Sequence, residues 1–216
     1  MKWIQKIILA FMLGIVPIQS ALADGIIERM VLAAFSGDLE SLKPLVKICK
    51  GAVCLNKELF VTETYSITAL MAASNKGYLE IVKYLIDEGA YVDAVNNNGA
   101  TALMEASGEG RLEIVKYLIS KNANINAKDY NGSTALIVAT QKGKLEVVRY
   151  LISKGANLNA VMSVGDNNGV MHYLTALDMA DLYKAKAIKG VLQKAGAKTA
   201  KYLEAKYPFS FPDLID

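Results

Sequence analysis

The chain has 216 residues, is 53% hydrophobic and carries a formal charge of +3, a length that fits one elongated domain with terminal segments. Lys2 and Lys6 lie in a leader-like stretch free of acidic residues, and without them 22 basic side chains face 21 acidic ones. So neutral a balance lacks the electrostatic footprint of a nucleic-acid binder, and no nucleic-acid partner is expected.

Residues 1–23 have a basic start, an apolar run from Ile7 to Ile18 and then Ala21-Leu22-Ala23, which reads as a secretory signal peptide with a small-x-small cleavage site. The run is shorter than the roughly 18 residues of a spanning helix. No cysteine follows the cut, so no lipid anchor and no stable membrane span are expected. The expectation is an exported protein, periplasmic where an outer membrane exists and secreted otherwise.

The domain reading covers 24–198. Its first unit, near 26–55, places helices at Met30–Phe35 and Leu39–Ile48 with Gly37 between them, a degenerate copy acting as the N-terminal cap. Cys49 and Cys54 follow in Cys-Lys-Gly-Ala-Val-Cys. In an exported chain the pair reads first as a disulfide, and so small a closed loop stabilises by roughly 2 kcal/mol. Free thiols, a redox pair or half a metal site are the alternatives, although zinc needs about four ligands and the chain has one histidine. A long connection then carries the β-prone Leu59–Thr62 and delivers Tyr65 to the tip of the next turn.

Further units lie near 64–95, 96–128 and 129–161, and the last two are the clearest. Residues 96–128 and 129–161 agree at 19 of 33 positions without a gap, and such a fixed period means stacked repeats. Within a unit, Asn97-Asn98-Gly99 signals a turn, Thr101 caps a short helix and Gly110 ends it. Leu112, Val115 and Ile119 then form the stripe of a second helix. Gly89, Asn122, Gly155 and Gly196 supply a left-handed residue after it, Asn being the common substitute for Gly. Ser66 stands where Gly99 and Gly132 stand, so the second unit's turn is expected to differ.

The fifth unit, near 162–198, has eight extra residues within 161–174, placed in the projecting turn. Ala185 is expected at the helix-ending Gly position, and the lysines at 184, 186, 189 and 194 suggest an end cap. In the tail, 199–216, Pro208 and Pro212 forbid a long helix, and the expectation is a strap packed on the last unit.

The motifs Gly99-Ala100-Thr101-Ala102-Leu103-Met104-Glu105-Ala106 and Gly132–Ala139, with the Gly-x-Leu-Glu-Ile/Val-Val cores at 77–85, 110–118 and 143–151, resemble the ankyrin repeat. Two positions depart from the family pattern: its Pro is Ala in every copy, and its His is Met71, Met104, Ile137 or Asp178. The resemblance implies an all-α solenoid of about five helix pairs with projecting turns, working as a protein-binding module. The family's usual contact positions fall here on Asn75, Lys76, Asn97, Asn98, Ala100, Gly108, Glu109, Tyr130, Asn131, Ser133, Gln141 and Lys142. Tyr65, Tyr130 and Tyr173 each lie near a turn tip, where tyrosine suits an interface, and His172 adjoins the last of them. Tyr84, Tyr117 and Tyr150, at equivalent places in second helices, read as framework.

No catalytic constellation emerges. A triad would have to be built around His172, the sole histidine. Asp166-Asn167-Asn168-Gly169 opens like a calcium loop, but Leu177 stands where its glutamate belongs. No phosphate-cradling motif occurs. The reading is therefore a monomeric, non-catalytic binder without cofactor or metal, engaging an unidentified protein through its concave face and turn tips. Exported relatives implied by the resemblance assist or protect periplasmic enzymes. Others are immunity proteins that neutralise a toxin, a role in which the 161–174 loop would block the active site.

Overall fold

In the computed structural model, which describes residues 18–49, 55–60, 66–165 and 171–206, a pair of helices recurs five times. In chain order these are α1 (Ile18–Ser36) and α2 (Leu39–Ile48), then α3 (Ala69–Lys76) and α4 (Leu79–Asp87), and α5 (Ala102–Glu109) and α6 (Leu112–Ser120). The fourth and fifth pairs are α7 (Ala135–Gln141) with α8 (Leu145–Ser153) and α9 (Ala176–Leu182) with α10 (Lys186–Lys194), followed by α11 (Ala200–Lys206). Among the described residues two short antiparallel strand pairs accompany them: β1 (Leu59–Phe60) with β2 (Ser66–Ile67), and β3 (Met162–Gly165) with β4 (Met171–Leu174). The chain is an all-α repeat solenoid.

Threonine decides where four of the first helices begin. Thr68, Thr101, Thr134 and Thr175 hold extended backbone, and each Oγ1 accepts the N–H three residues on, from Met71, Met104, Ile137 and Asp178 at 3.2–3.5 Å. Such a cap satisfies a donor the helix cannot. The first helices, α1, α3, α5, α7 and α9, then pack side by side in one file. The inner ones, α3, α5 and α7, are each enclosed by two neighbours and by their own second helix, and small residues let the helices approach; Ala72, Ala73, Ala106 and Ala139 are fully buried there. The second helices bury one stripe only, such as Ile114, Val115 and Leu118 of α6.

That stripe explains both ends of the stack. Ile81, Ile114, Val147 and Ile188 are buried in units two to five, whereas the first unit has exposed Ser41 at this register. Leu42, Val82, Val115 and Val148 are buried in units one to four, whereas the fifth has Lys189. The first row faces the preceding unit and the second the following one. Polar substitution at the outward position of each terminal unit is what ends a repeat stack without exposing core.

Two hydrogen-bonded ladders fix the register between units. On the second-helix side, Asn56, Asp93, Asn126 and Asn159 accept the backbone N–H of Tyr91, Asn124, Asn157 and Lys198 at 2.7–2.9 Å. At the turn tips, Tyr130 N–H donates to Asn98 O (3.0 Å) and Ser163 N–H to Asn131 O (2.7 Å), the same bond one period later. In the second unit Ser66 lies in β2 rather than in a left-handed turn, and its N–H donates to Asn97 Oδ1 (2.9 Å).

Several local expectations change. The first helix begins at Ile18, twelve residues before Met30, and runs through Ala21–Ala23, since 18–29 contains no proline and is rich in helix formers. In the fifth unit the left-handed residue is Lys184 (φ 54°), one position before Ala185. Asn122 does take the left-handed conformation, at φ 65°. The insertion is a β-hairpin pairing Met162 with Leu174 and Gly165 with Met171. Its base is held by Val161, which is fully buried against Ala200 and Leu203 of α11. Cys49 is buried at the end of α2; Cys54 and Tyr65 lie outside the described residues, as do 1–17, 166–170 and the tail from 207.

Ser74, Ser107 and Thr140 occupy one register of the first helices, fully buried, and their hydroxyls have no hydrogen-bond partner. An unsatisfied buried hydroxyl costs about 1 kcal/mol or more, and Ala is the better helix former. Ser107→Ala is therefore expected to raise the melting temperature by roughly 2–4 °C in a calorimetric scan, and a lower value would show that the hydroxyl is satisfied.

Candidate binding face

The first helices are not covered on every side. Residues near their C-terminal ends reach solvent, and this shared strip, with the turn tips that precede the same helices, is the candidate face. Along it, Asn75 Nδ2 donates to Glu105 Oε2 of the next unit (2.9 Å), while Arg111 Nε donates to Asn75 O (3.0 Å). Further on, Gln141 Nε2 donates to Tyr183 Oη (3.1 Å). Lys76 Nζ sits 3.9 Å from the centre of the Phe35 ring, within cation–π range. Each bond joins adjacent units, so these side chains are held before any partner arrives.

At the tips, Tyr130 is 75% exposed and lies against Gly99. A Cβ on that glycine (φ 77°) would fall 2.8 Å from the tyrosine ring, which is why a residue with no side chain stands there. Gly132 is under the same constraint, its place for a Cβ being only 2.5 Å from Val161 O. Tyr173 lies across the hairpin from Ser163, which is itself bonded to Asn131, so Tyr130 and Tyr173 belong to the tips of consecutive units. His172 is exposed on β4, opposite Val164.

The sequence-predicted residues separate into two groups. Asn98, Glu109, Tyr130, Asn131 and Lys142 are exposed and Gln141 half-buried, so they can meet a partner directly. Asn97 is engaged with Ser66 of the preceding turn. Ser133 is only 5% exposed, and its backbone closes the turn with Asp129; it belongs to the framework, not to a contact surface. Lys76, half-buried, is held over Phe35.

Other residues of this face were missed. Leu32, Phe35, Leu182 and Tyr183 are large, apolar and 46–63% exposed. Leu182 and Tyr183 stand 41 residues after Gln141 and Lys142, the period of the interrupted unit, and Phe35 stands 40 before Asn75. Counting the register into the terminal units would have found them. The result is a strip with polar side chains in the middle and apolar ones at both ends.

Electrostatics sharpen one tip. Burial pushes the Asp129 carboxyl above its ordinary range, opposed by the N–H groups of Ser133 (2.7 Å) and Asn131 (2.9 Å) that donate to it. One period earlier Asn96 does the same work without charge, accepting from Asn98 and Ala100 at 3.0 Å and donating to Ser66 O. Among the described residues no group of three or more His, Cys, Asp and Glu is placed to hold a metal ion, and no helix is long and apolar enough to cross a membrane.

Comparison with known families agrees with this architecture. A model described as "Ankyrin repeats (3 copies)" matches residues 30–129, and one described as "Ankyrin repeat" matches 131–163. Together they span well over half of the chain. No curated protein matches it.

The raised Asp129 pKa has a defined sign. Folding favours the protonated carboxyl, so stability is greatest below the unfolded pKa and falls as pH rises through the folded one. Asn at this position keeps both accepted bonds and removes the charge. Asp129→Asn is therefore expected to melt roughly 1–3 °C higher than the parent at pH 7, with the gap narrowing at pH 3. Thermal melts at the two pH values check this, and a variant less stable at pH 7 would contradict it.

Proposed function

The chain belongs to the ankyrin-repeat family, whose repeats mediate protein–protein interaction, and from that premise we propose that it is an exported, non-catalytic binding module. It engages a partner protein through the concave strip of first helices and the adjoining tips. The observation that carries this reading is the set of inter-unit bonds Asn75–Glu105, Arg111–Asn75 and Gln141–Tyr183. Side chains already held in place lose little entropy when a partner docks, and preorganisation of this kind raises affinity. Exposed Tyr130, Tyr183 and Phe35 supply the large aromatic area typical of binding anchors.

In this role the protein assists or protects an enzyme of the compartment to which it is exported, leaving that enzyme's active site open. A second reading, inhibition of an incoming toxin, is favoured by the hairpin β3–β4. Its base is fixed by Val161 and its outer half carries exposed Val164 and Met171, so it can reach into a cleft.

Affinity capture from an extract of the exported compartment separates the two. Tyr130→Ala combined with Tyr183→Ala is expected to weaken retention of the partner tenfold or more, while shortening the hairpin by deleting 164–172 leaves it unchanged. Loss on shortening alone favours inhibition, and a partner retained by both variants overturns the face. Export further implies a Cys49–Cys54 disulfide, so neither cysteine should alkylate in the exported protein until it is reduced.

A further inference from the structure

Charge is not spread evenly along the stack. Among the described residues of the last unit, 175–206, covering α9 to α11, seven lysines stand against three acidic residues, and the segment after it adds Asp213 and Asp216, whereas 24–174 hold 15 basic and 16 acidic ones. Two of those three acids are already engaged. Asp178 accepts the N–H groups of Thr175 and Ala200 at 2.8 Å, and Asp181 pairs with Lys189. Lys184, Lys186, Lys194, Lys198 and Lys201 are exposed, and no carboxylate among the described residues pairs with them.

Capping explains why this end is polar but not why it is cationic. Lys186 and Lys189 stand where Leu145 and Val148 stand one unit earlier, so they lie on the surface another unit would have covered. Any polar residue would serve there, and the opposite end uses a mixed set: Ser41, Asp38, Glu40 paired with Lys43, and Lys47. Nor are these lysines gathered in a groove. They lie on α10, on α11 and in the turns before and after α10, an outward-facing end. Exposed Tyr202 adjoins them, and Lys198 Nζ lies 5.3 Å from the centre of its ring.

We propose that this end face docks on an anionic phospholipid surface, holding the stack end-on with its binding strip free for a protein. An outward-facing array of lysines with no carboxylate partner among the described residues matches a sheet of lipid phosphates, each lysine adding to the attraction within a Debye length. Tyrosine is suited to the headgroup level beside it. The surface is distinct from the strip of first helices and requires nothing of the protein partner.

Co-sedimentation of the exported protein, from which residues 1–23 have been removed, with vesicles tests this. Binding is expected to phosphatidylcholine vesicles containing about 30% phosphatidylglycerol at about 0.1 M salt, to none of pure phosphatidylcholine, and to be released at about 0.5 M salt. Lys186→Glu, Lys194→Glu and Lys198→Glu together should weaken it roughly tenfold or more, with circular dichroism reporting the fold. Lys47→Glu with Lys154→Glu, elsewhere on the stack, should leave it intact. Failure of the parent chain to bind anionic vesicles overturns the proposal, whatever the variants do. So does a folded triple variant that binds as the parent does, or a parent that ignores vesicles but binds soluble polyglutamate, which would assign the face to an acidic polypeptide.

Discussion

Two helices of seven to nine residues, as in units two to five, cannot enclose an interior of their own. Isolated helices of that length are marginal in water, and the apolar stripe of α6, with Ile114, Val115 and Leu118, would face solvent if the unit stood alone. Every unit must therefore borrow its interior from the next. The buried rows make this explicit, one looking back along the stack and one forward, each broken only at the end where nothing remains to be covered. Burial of a side chain such as Val115 contributes about 1.5–3 kcal/mol. Because that gain exists only between units, stability is a property of neighbours.

The same constraint frees the face. Once the interior is shared between units, the tips and the solvent side of the first helices carry no packing duty beyond the inter-unit bonds. Asn75, Gln141, Tyr130 and Tyr183 can then be chosen for a partner. It also explains how the hairpin is tolerated. The rung from Asn126 to Asn157 spans 31 residues, and that from Asn159 to Lys198 spans 39. The difference is the eight inserted residues, which leave the stack at one tip and return to it without disturbing the packed rows. A binding element can be added at that place at little cost to stability.

Most of the architecture was legible because the sequence states it repeatedly. The threonine caps, the Gly turns and the left-handed Asn122 are visible by comparing copies. What was hidden lies where a copy departs from its neighbours. Lys184 takes the left-handed conformation against the preference of any residue with a Cβ, and Ala185 is picked out instead when the 41-residue offset from Gly143 goes uncounted. The hairpin was masked by its Asp-Asn-Asn-Gly centre, which reads as a turn whether or not strands flank it. The helical run back to Ile18 was obscured by a segment that reads equally well as a leader. On the face, Ser133 was chosen by register although its place in the turn buries it. Phe35, Leu182 and Tyr183 were missed because the register was not carried into the terminal units, where an apolar residue reads most readily as core.

The central claim is that each unit stands because its neighbour covers it. Val115→Lys places in the middle of the stack the residue type that ends it at Lys189, and amide hydrogen exchange resolved along the chain reads the consequence. Loss of protection is expected across 129–206, on the far side of the break, while 26–95 remains protected. Loss confined to α6, with units four and five as protected as in the parent, would mean that the units stand independently and would contradict the account.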